Sequence, residues 1–435
     1  MQEFEIRSGV LYKYNGSGGR VVIPDGVRII GAEAFARCST LTEVVIPRSV
    51  KSIGNGAFRE SESLVRVVTV DYENGETVQG DGNVLSGVVI QGSSKSIGKC
   101  AFYECTALTE VVIPYGITSI ENSAFYNCSS LSKLVIPNGV TVIGEEAFEW
   151  CDSLTEVVIP SGVEVIGSKA FWKCGALTKA VIPSSLRSVG SEAFHGCNAL
   201  TEVIIQDGCR CIGKNTFNCC EAMKEIVIPG SVEAIGGGAF SKCTALTLAV
   251  IPGSVNKIGD WAFFECESLK RAVISDGVKE IGSGAFGNCT ALTEVVIPDS
   301  VVTVGRAPFG GCGSDLSIFV SAKVLDLFKE ETNKIPFNVL KGYVKGCVKA
   351  YTDGVMPHDD VVDFLNIVKA ELYDLIGVFI DDPNFIKIVT EREILSVESA
   401  VLELEECRNT ECRATLLRYI NRSANSTDVF DRLKL

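Results

Sequence analysis

Eighteen cysteines and two histidines are the residues of this 435-residue chain best suited to chemistry. Thiols in that number can serve disulfides, zinc ligation or nucleophilic attack. Their spacing decides among these. Eleven of them (Cys38, Cys105, Cys128, Cys151, Cys174, Cys197, Cys220, Cys243, Cys266, Cys289 and Cys312) occupy one slot of a repeated unit, and Ser61 fills the slot in one copy. A slot used once per coil of a stack makes an interior column, where a free cysteine packs as a small hydrophobe. Disulfides between adjacent coils are the rival, because bridged Cα atoms lie about 4.4–6.8 Å apart. Side chains in a column point the same way, however, and eleven is odd. Cys209, Cys211, Cys219 and Cys220 are dense enough for zinc. Yet Cys209 stands where other copies carry Val, Cys220 is the column residue, and Cys211 and Cys219 fall at variable positions. They read as incidental thiols, and Cys100, Cys347, Cys407 and Cys412 show no ligand spacing. No metal site and no cofactor is expected.

The histidines add no catalytic constellation. His195 lies two residues before Cys197, and His358 follows Pro357. Neither has a nucleophile nearby in sequence. The chain has no Gly-x-Ser-x-Gly elbow and no Walker-type loop. Gly16-Ser17-Gly18-Gly19 precedes a strand, whereas a phosphate cradle follows one. Gly236-Gly237-Gly238 reads as the repeat turn. Asp359-Asp360 and Asp381-Asp382 suit helix starts. The chain is expected not to be an enzyme.

The elements that position these residues come from the repeat itself. Leu-x-x-Val-x-Ile-Pro-x-x-Val-x-x-Ile-Gly-x-x-Ala-Phe-x-x-Cys recurs every 23 residues, and one clean copy runs from Leu154 to Cys174. Its phenylalanines are Phe35, Phe58, Phe102, Phe125, Phe148, Phe171, Phe194, Phe217, Phe240, Phe263, Phe286 and Phe309. Every step is 23 except Phe58 to Phe102, which is 44. That gap predicts one shortened, irregular coil near 64–97 with a looped-out segment at 71–83, and thirteen coils in all. Leu-x-x-Val-x-Ile makes a short strand with alternate residues inward, and the proline ends it. Val163 and Ile166 cover the opposite side, the following Gly permits a tight turn, and Ala-Phe fills the interior. One coil cannot bury its apolar face; stacking does.

This unit resembles the BspA-type leucine-rich repeats, whose hallmark is Ile-Pro…Ile-Gly…Ala-Phe…Cys, over residues 1 to about 320. The opening from Phe4 through Tyr14 to Pro24 is similar to the N-terminal cap of repeat proteins from anaerobic gut bacteria. The resemblance implies an α/β repeat fold, a right-handed solenoid with a parallel concave sheet. It also implies a binding role, since some members are secreted adhesins for host matrix proteins or other cells.

Strand positions two, three and five should face outward. The fifth is a β-branched stripe that includes Val112, Val135, Val158, Val181, Ile204, Val227 and Val250. β propensity accounts for such residues, and a recognition groove is the functional alternative. The third position carries Glu110, Lys133, Glu156, Lys179, Glu202, Glu225 and Arg271, among others. A partner with a basic stripe is favoured near Glu43 to Glu110 and near Glu202 to Glu225.

The repeat fades after Cys312. Val361, Phe364, Leu365, Val368, Leu372 and Ile376 follow helical spacing. Shorter helices are expected near 322–332, 338–350, 384–390, 396–407 and 410–421, with breaks at Pro336, Pro357 and Pro383. The expected organisation is a cap (1–24), a solenoid (25–320) and a small all-α domain (321–435) docked on the last coil. Residues 397–421 are similar to the end of bacterial intracellular repeat proteins and, loosely, to an ankyrin-type helix pair.

The formal net charge of −14 argues against nucleic-acid binding. No apolar run approaches the roughly 18 residues that span a bilayer. The acidic start, Met1 to Glu5, lacks the layout of a secretion signal. Together with the unpaired thiols this predicts a cytoplasmic protein, with a secreted or cell-surface one as the alternative. The resulting expectation is a non-enzymatic scaffold that binds a protein or peptide on its concave sheet; a cell-surface adhesin is the second reading. Oligomeric state is not legible in the sequence.

Overall fold

The structure is a computed structural model that describes residues 3–47, 49–69, 96–113, 116–320, 322–328, 337–352, 378–391, 395, 407–412 and 414–416. The chain divides into two compact units. One comprises Met1–Leu292 with Ser300–Gly313, the other Thr293–Asp299 with Ser314–Leu435.

The first unit is a parallel β-solenoid. It opens with an antiparallel hairpin, Phe4–Arg7 against Val10–Tyr14, turned by Ser8 and Gly9 at positive φ. The following coils have two strands each, except that the first is not formed over residues 224–229. The first strand pairs in parallel with its neighbours, as in Glu156–Val158, Lys179–Ile182 and Glu202–Ile205. The second is two residues long and was not anticipated. Its inward residue pairs coil after coil, Ile143 with Ile166, Ile166 with Val189 and Ser188–Val189 with Cys211–Ile212. These short strands build one sheet along the solenoid, closed at its start by the hairpin.

A third ladder runs through the turn after the second strand. In the coil of Phe194, the N–H groups of Glu192, Phe194 and Gly196 donate to the Lys214, Thr216 and Asn218 carbonyls of the next coil at 2.8, 2.9 and 2.8 Å. The intervening Ala193, His195 and Cys197 donate within the coil to residues three back. This alternation puts Glu192 and Gly196 at φ 59° and 73°. Equivalent residues of other coils, such as Lys169, Lys173, Trp150 and Trp261, also take positive φ. A non-glycine there costs about 1–2 kcal/mol. The coil accepts that cost because the N–H groups from Glu192 to Cys197 then all find acceptors, alternately in the next coil and in their own.

The core is a set of columns. Leu154, Val157, Ile159, Val163, Ile166, Ala170, Phe171 and Cys174 of the clean copy are all buried, as are most of their counterparts, while Cys38, Val304 and Cys312 in the end coils are half-buried. The phenylalanines stack face to face, with centroids 5.0 Å apart for Phe58 and Phe102, 5.3 Å for Phe148 and Phe171, and 5.2 Å for Phe171 and Phe194. Tyr14 of the hairpin heads the stack, 5.0 Å from Phe35. Such pairs add about 0.5–1.5 kcal/mol each beyond burial.

Two expectations are corrected. No coil lies between Phe58 and Phe102: their rings are neighbours, Ile53 pairs with Ile97, and the Gly56 N–H donates to the Lys99 carbonyl at 2.9 Å. The solenoid therefore has twelve phenylalanine rungs. The 44-residue step is a single coil with extra chain between Thr69 and Ser96, and the looped-out residues lie outside the described ones. The glycine after the second strand is not there for its turn. Gly144 and its counterparts avoid positive φ, but a Cβ on Gly144 would stand 2.6 Å from the Asn122 nitrogen and 2.7 Å from the Glu121 carbonyl carbon. The slot is glycine because the preceding coil's backbone passes against it.

In the second unit, Glu294–Val296 pairs in parallel with Ser317–Phe319. Among the described residues the helices α1 (Ala322–Leu325, continued by a 3-10 turn), α2 (Phe337–Thr352) and α3 (Pro383–Glu391) follow, and residues 410–412 and 414–416 are also helical. Helix α2 packs on Ser317–Phe319, with Gly342 and Gly346 one turn apart against Ile318. Pro383 opens α3 at the position where a missing N–H is harmless. Asp382 caps it, accepting from the Asn384 and Phe385 N–H groups. The helix expected over 361–376 and most of that over 396–407 lie outside the described residues.

Candidate functional site

The first strand presents two outward columns along the solenoid. In the apolar column Val135 and Val158 are each 62% exposed and Val227 is 76% exposed. Ile204 and Val250 are also exposed, and Val181 is half-buried. Val112 lies on the strand Glu110–Val112, and its side chain is outside the described set. In the charged column Lys133, Glu156, Glu202, Glu225 and Arg271 are exposed, and Glu110 and Lys179 half-buried. Register sets opposite signs side by side. Lys133 is opposite Glu110, and Lys179 lies between Glu156 and Glu202. Lys179 Nζ reaches Glu202 Oε1 at 2.9 Å. Much of this column is thus compensated within the solenoid, so the acidic run read from the sequence at Glu202 is shorter in space.

The cysteine column does structural work that its spacing alone did not reveal. From Cys105 to Cys312 each column thiol donates back to the phenylalanine carbonyl of the preceding coil, as in Cys174 to Phe148, Cys197 to Phe171 and Cys220 to Phe194, each at 3.3 Å. Ser61 makes the same bond to Phe35 at 2.9 Å. The slot selects a small side chain with one donor, which explains why serine substitutes there. Burial pushes the thiols of Cys105 and Cys197 up to about 12, so they stay protonated and remain donors. Among the described residues no group of three or more His, Cys, Asp or Glu is arranged to hold a metal. Cys209 donates to the Cys211 carbonyl and Cys219 to the Asn218 side chain, so the dense quartet is divided between separate partners.

The turn face carries a feature with no helical or strand periodicity, because its members are one coil apart. The residue after each phenylalanine forms a column in which Tyr103 and Tyr126 stack at 4.8 Å, and Trp172 and His195 at 5.8 Å. Lys173 Nζ lies 4.2 Å from the Trp150 ring centre and 4.6 Å from that of Trp172. This packing leaves His195 half-buried, and burial lowers its pKa. His358 lies outside the described residues.

Glu149 belongs to the same column and is only 7% exposed; its Oε2 has no hydrogen-bond partner. Burial, and secondarily the Glu146 carboxylate, raise its pKa to about 7. The folded state therefore holds this proton more tightly than the unfolded chain. The stabilisation is complete below the unfolded value near 4.5 and is lost as pH rises through about 7. Glu149→Gln should flatten that loss. At pH 8 the variant should exceed the wild type by about 1–2 kcal/mol, allowing for solvent screening at the turn surface. Urea denaturation of both proteins from pH 4.5 to 8 checks this; parallel pH profiles would refute it.

Comparison with known proteins gives a consistent picture. The sequence model described as the BspA type leucine rich repeat region matches residues 5–74, 81–201 and 188–316. A leucine-rich cell surface protein from Faecalibacterium prausnitzii is 28% identical, over 73% of this chain and 92% of its own, with a TM-score of 0.45. A leucine-rich repeat protein from Bacteroides ovatus is 26% identical, over 71% and 88%, with a TM-score of 0.47. The pneumococcal vaccine antigen PcpA is 16% identical, over 74% and 98%, with a TM-score of 0.41. No curated protein matches the chain. Among the described residues no helix is long and apolar enough to cross a membrane.

Proposed function

The chain belongs to the BspA-type leucine-rich repeat family, and from that premise we propose that it is a non-enzymatic scaffold holding a protein or peptide on the outward face of its first strands. One observation carries the reading. Val135, Val158, Ile204, Val227 and Val250 expose β-branched side chains in one column of a solenoid whose coils are tied by a continuous second-strand sheet, a turn ladder and first-strand sheets in three segments. A row of exposed apolar side chains is the surface type that binding partners cover. Because the coils are fixed before contact, little ordering cost accompanies binding. The compensated charges beside the stripe supply selectivity more than attraction. The buried, protonated thiol column agrees with a reducing compartment, and we place the protein in the cytoplasm on that ground.

The test is capture of partners from lysate and from host-matrix protein by wild type and by a Val158→Lys, Ile204→Lys, Val227→Lys variant. All three side chains are exposed, so the variant should keep the wild-type circular dichroism and unfolding midpoint. A partner held by the wild type should lose at least about tenfold in affinity. Equal capture by both proteins would remove this face from consideration.

A further inference from the structure

Twelve copies of the turn can be compared at the two positions that follow the second strand's glycine slot. Eleven carry at least one side chain there, such as Lys99 with Cys100, Ser168 with Lys169, and Asp260 with Trp261. The copy at Gly237 and Gly238 carries none. Its absence opens a groove of about 620 Å³ on the turn side of the first unit, spanning three coils. That volume lies within the roughly 300–1,000 Å³ of small-ligand sites.

The walls differ in chemistry. On one side stand Trp261, 57% exposed, and Phe264. On the other are Lys214 and the amides of Asn215 and Asn218, with Asp260 contributing a carboxylate beside the tryptophan. The floor is the backbone of Gly236 to Gly238, where the Asn215 side chain occupies the space a Cβ on Gly238 would take. Trp261 holds an aromatic ring at the surface at φ 55°, in a slot that other coils fill with Glu, Gly, Cys, Ser, Lys, Asn or Ala. The ring packs over Gly284 of the next coil, which has no side chain to exclude it, and much of its surface stays exposed. Lys257 also lines the groove, but its ammonium is held by the Glu280 carboxylate at 2.6 Å. The ammonium of Lys214 and the carboxylate of Asp260 remain and nearly balance, so the groove favours a neutral ligand.

We propose that this groove binds a neutral oligosaccharide. A pyranose has a flat C–H face, which suits the Trp261 ring, and an edge of hydroxyls, which suits amides, a carboxylate and an ammonium that donate and accept at once. Asn218 is bonded to Asn215 and Cys219, and Asp260 Oδ1 accepts from the Ser283 N–H. Lys214, the Asn215 amide nitrogen and the second Asp260 oxygen are therefore the groups left to a ligand, and a charged ligand would leave Lys214 or Asp260 opposed. The site is independent of the first-strand face and would stand if that face bound nothing.

Two variants test it, and both place a residue where another coil already carries it. Gly237→Lys fills the groove with the side chain that Lys99 and Lys214 bring to the same position. Trp261→Ala removes the ring and leaves the residue found at Ala307. The probes are cellohexaose, chitohexaose and mannohexaose, and the readout is saturation-transfer NMR followed by titration calorimetry. The expected result is transfer to the ring protons of at least one hexasaccharide, with affinity at least about tenfold weaker in both variants. No transfer from wild type to any of the three, or transfer equal in wild type and variants, overturns the proposal. Titration of the Val158→Lys, Ile204→Lys, Val227→Lys protein should match wild type; weakening there alone would move the sugar to the other face and overturn it too.

Discussion

Phe171→Ala is expected to lower the free energy of unfolding by about 3–5 kcal/mol. The ring is fully buried, with Phe148 and Phe194 at 5.3 and 5.2 Å on its two sides. Truncation removes both stacking contacts and leaves a void that the neighbouring coils cannot close. Each coil is pinned to the next by its strand and turn ladders, and collapse would strain all of them. Because a solenoid is stabilised by nearest neighbours, the lesion also weakens the coupling between the stretches on either side. The urea transition should therefore broaden or split as well as move to lower denaturant. A shift below about 1.5 kcal/mol with an unchanged slope would mean that the stack does not carry the core.

Gly144→Ala should destabilise by about 1–3 kcal/mol, reversing the usual sign of a glycine-to-alanine change. Replacing a glycine with negative φ normally gains about 0.4–1 kcal/mol by restricting the unfolded chain. Here the added methyl would meet backbone atoms of Glu121 and Asn122, which no rotamer change can move. Relief requires parting the coils, against the 2.7 Å bond from the Gly144 N–H to the Ile120 carbonyl. Gly175 is the internal control. It also lacks positive φ, and nothing lies within 4 Å of a Cβ built on it. Gly175→Ala should be neutral or stabilising. Equal effects at the two positions, measured by urea denaturation, would show that coil spacing is not set by this column. Glu121 fills the slot in one copy, so a side chain there is a cost and not a prohibition.

The fold was largely legible because its contacts repeat at the period of the sequence. A column of Phe or Cys appears as a fixed spacing, and inward Leu, Val and Ile appear as alternation. What escaped has specific reasons. The second strand is two residues long, as at Val165–Ile166, too short to show any alternation. The glycine beside it looks the same in sequence whether φ or a passing backbone demands it. The 44-residue step hides an ordinary coil, because insertion length does not reveal whether the extra chain stacks or bulges. The outward columns of the first strand could be assigned, since alternation alone fixes which side chains leave the core. Their compensation needs the parallel register as well, which sets Lys179 beside Glu202 one 23-residue period away. Trp172 and His195 are also one period apart, but the residue type in their column changes from coil to coil, so no repeated letter marks it. The groove at Gly237 went unread because an absence of side chains matters only beside the walls that neighbouring coils provide.

The coil with extra chain between Thr69 and Ser96 has a consequence for the gene. The rung of Phe58 and the rung of Phe102 fit together as if nothing had been added. Every column therefore depends on the residue one rung away and on no absolute position. Unequal recombination that removes or duplicates one 23-codon unit in phase leaves each surviving rung with a neighbour of the right kind. Length can then drift between generations while local fit is preserved. Selection on such a gene acts on how many rungs it encodes and on which surface residues ride on them, two properties that can be inherited separately.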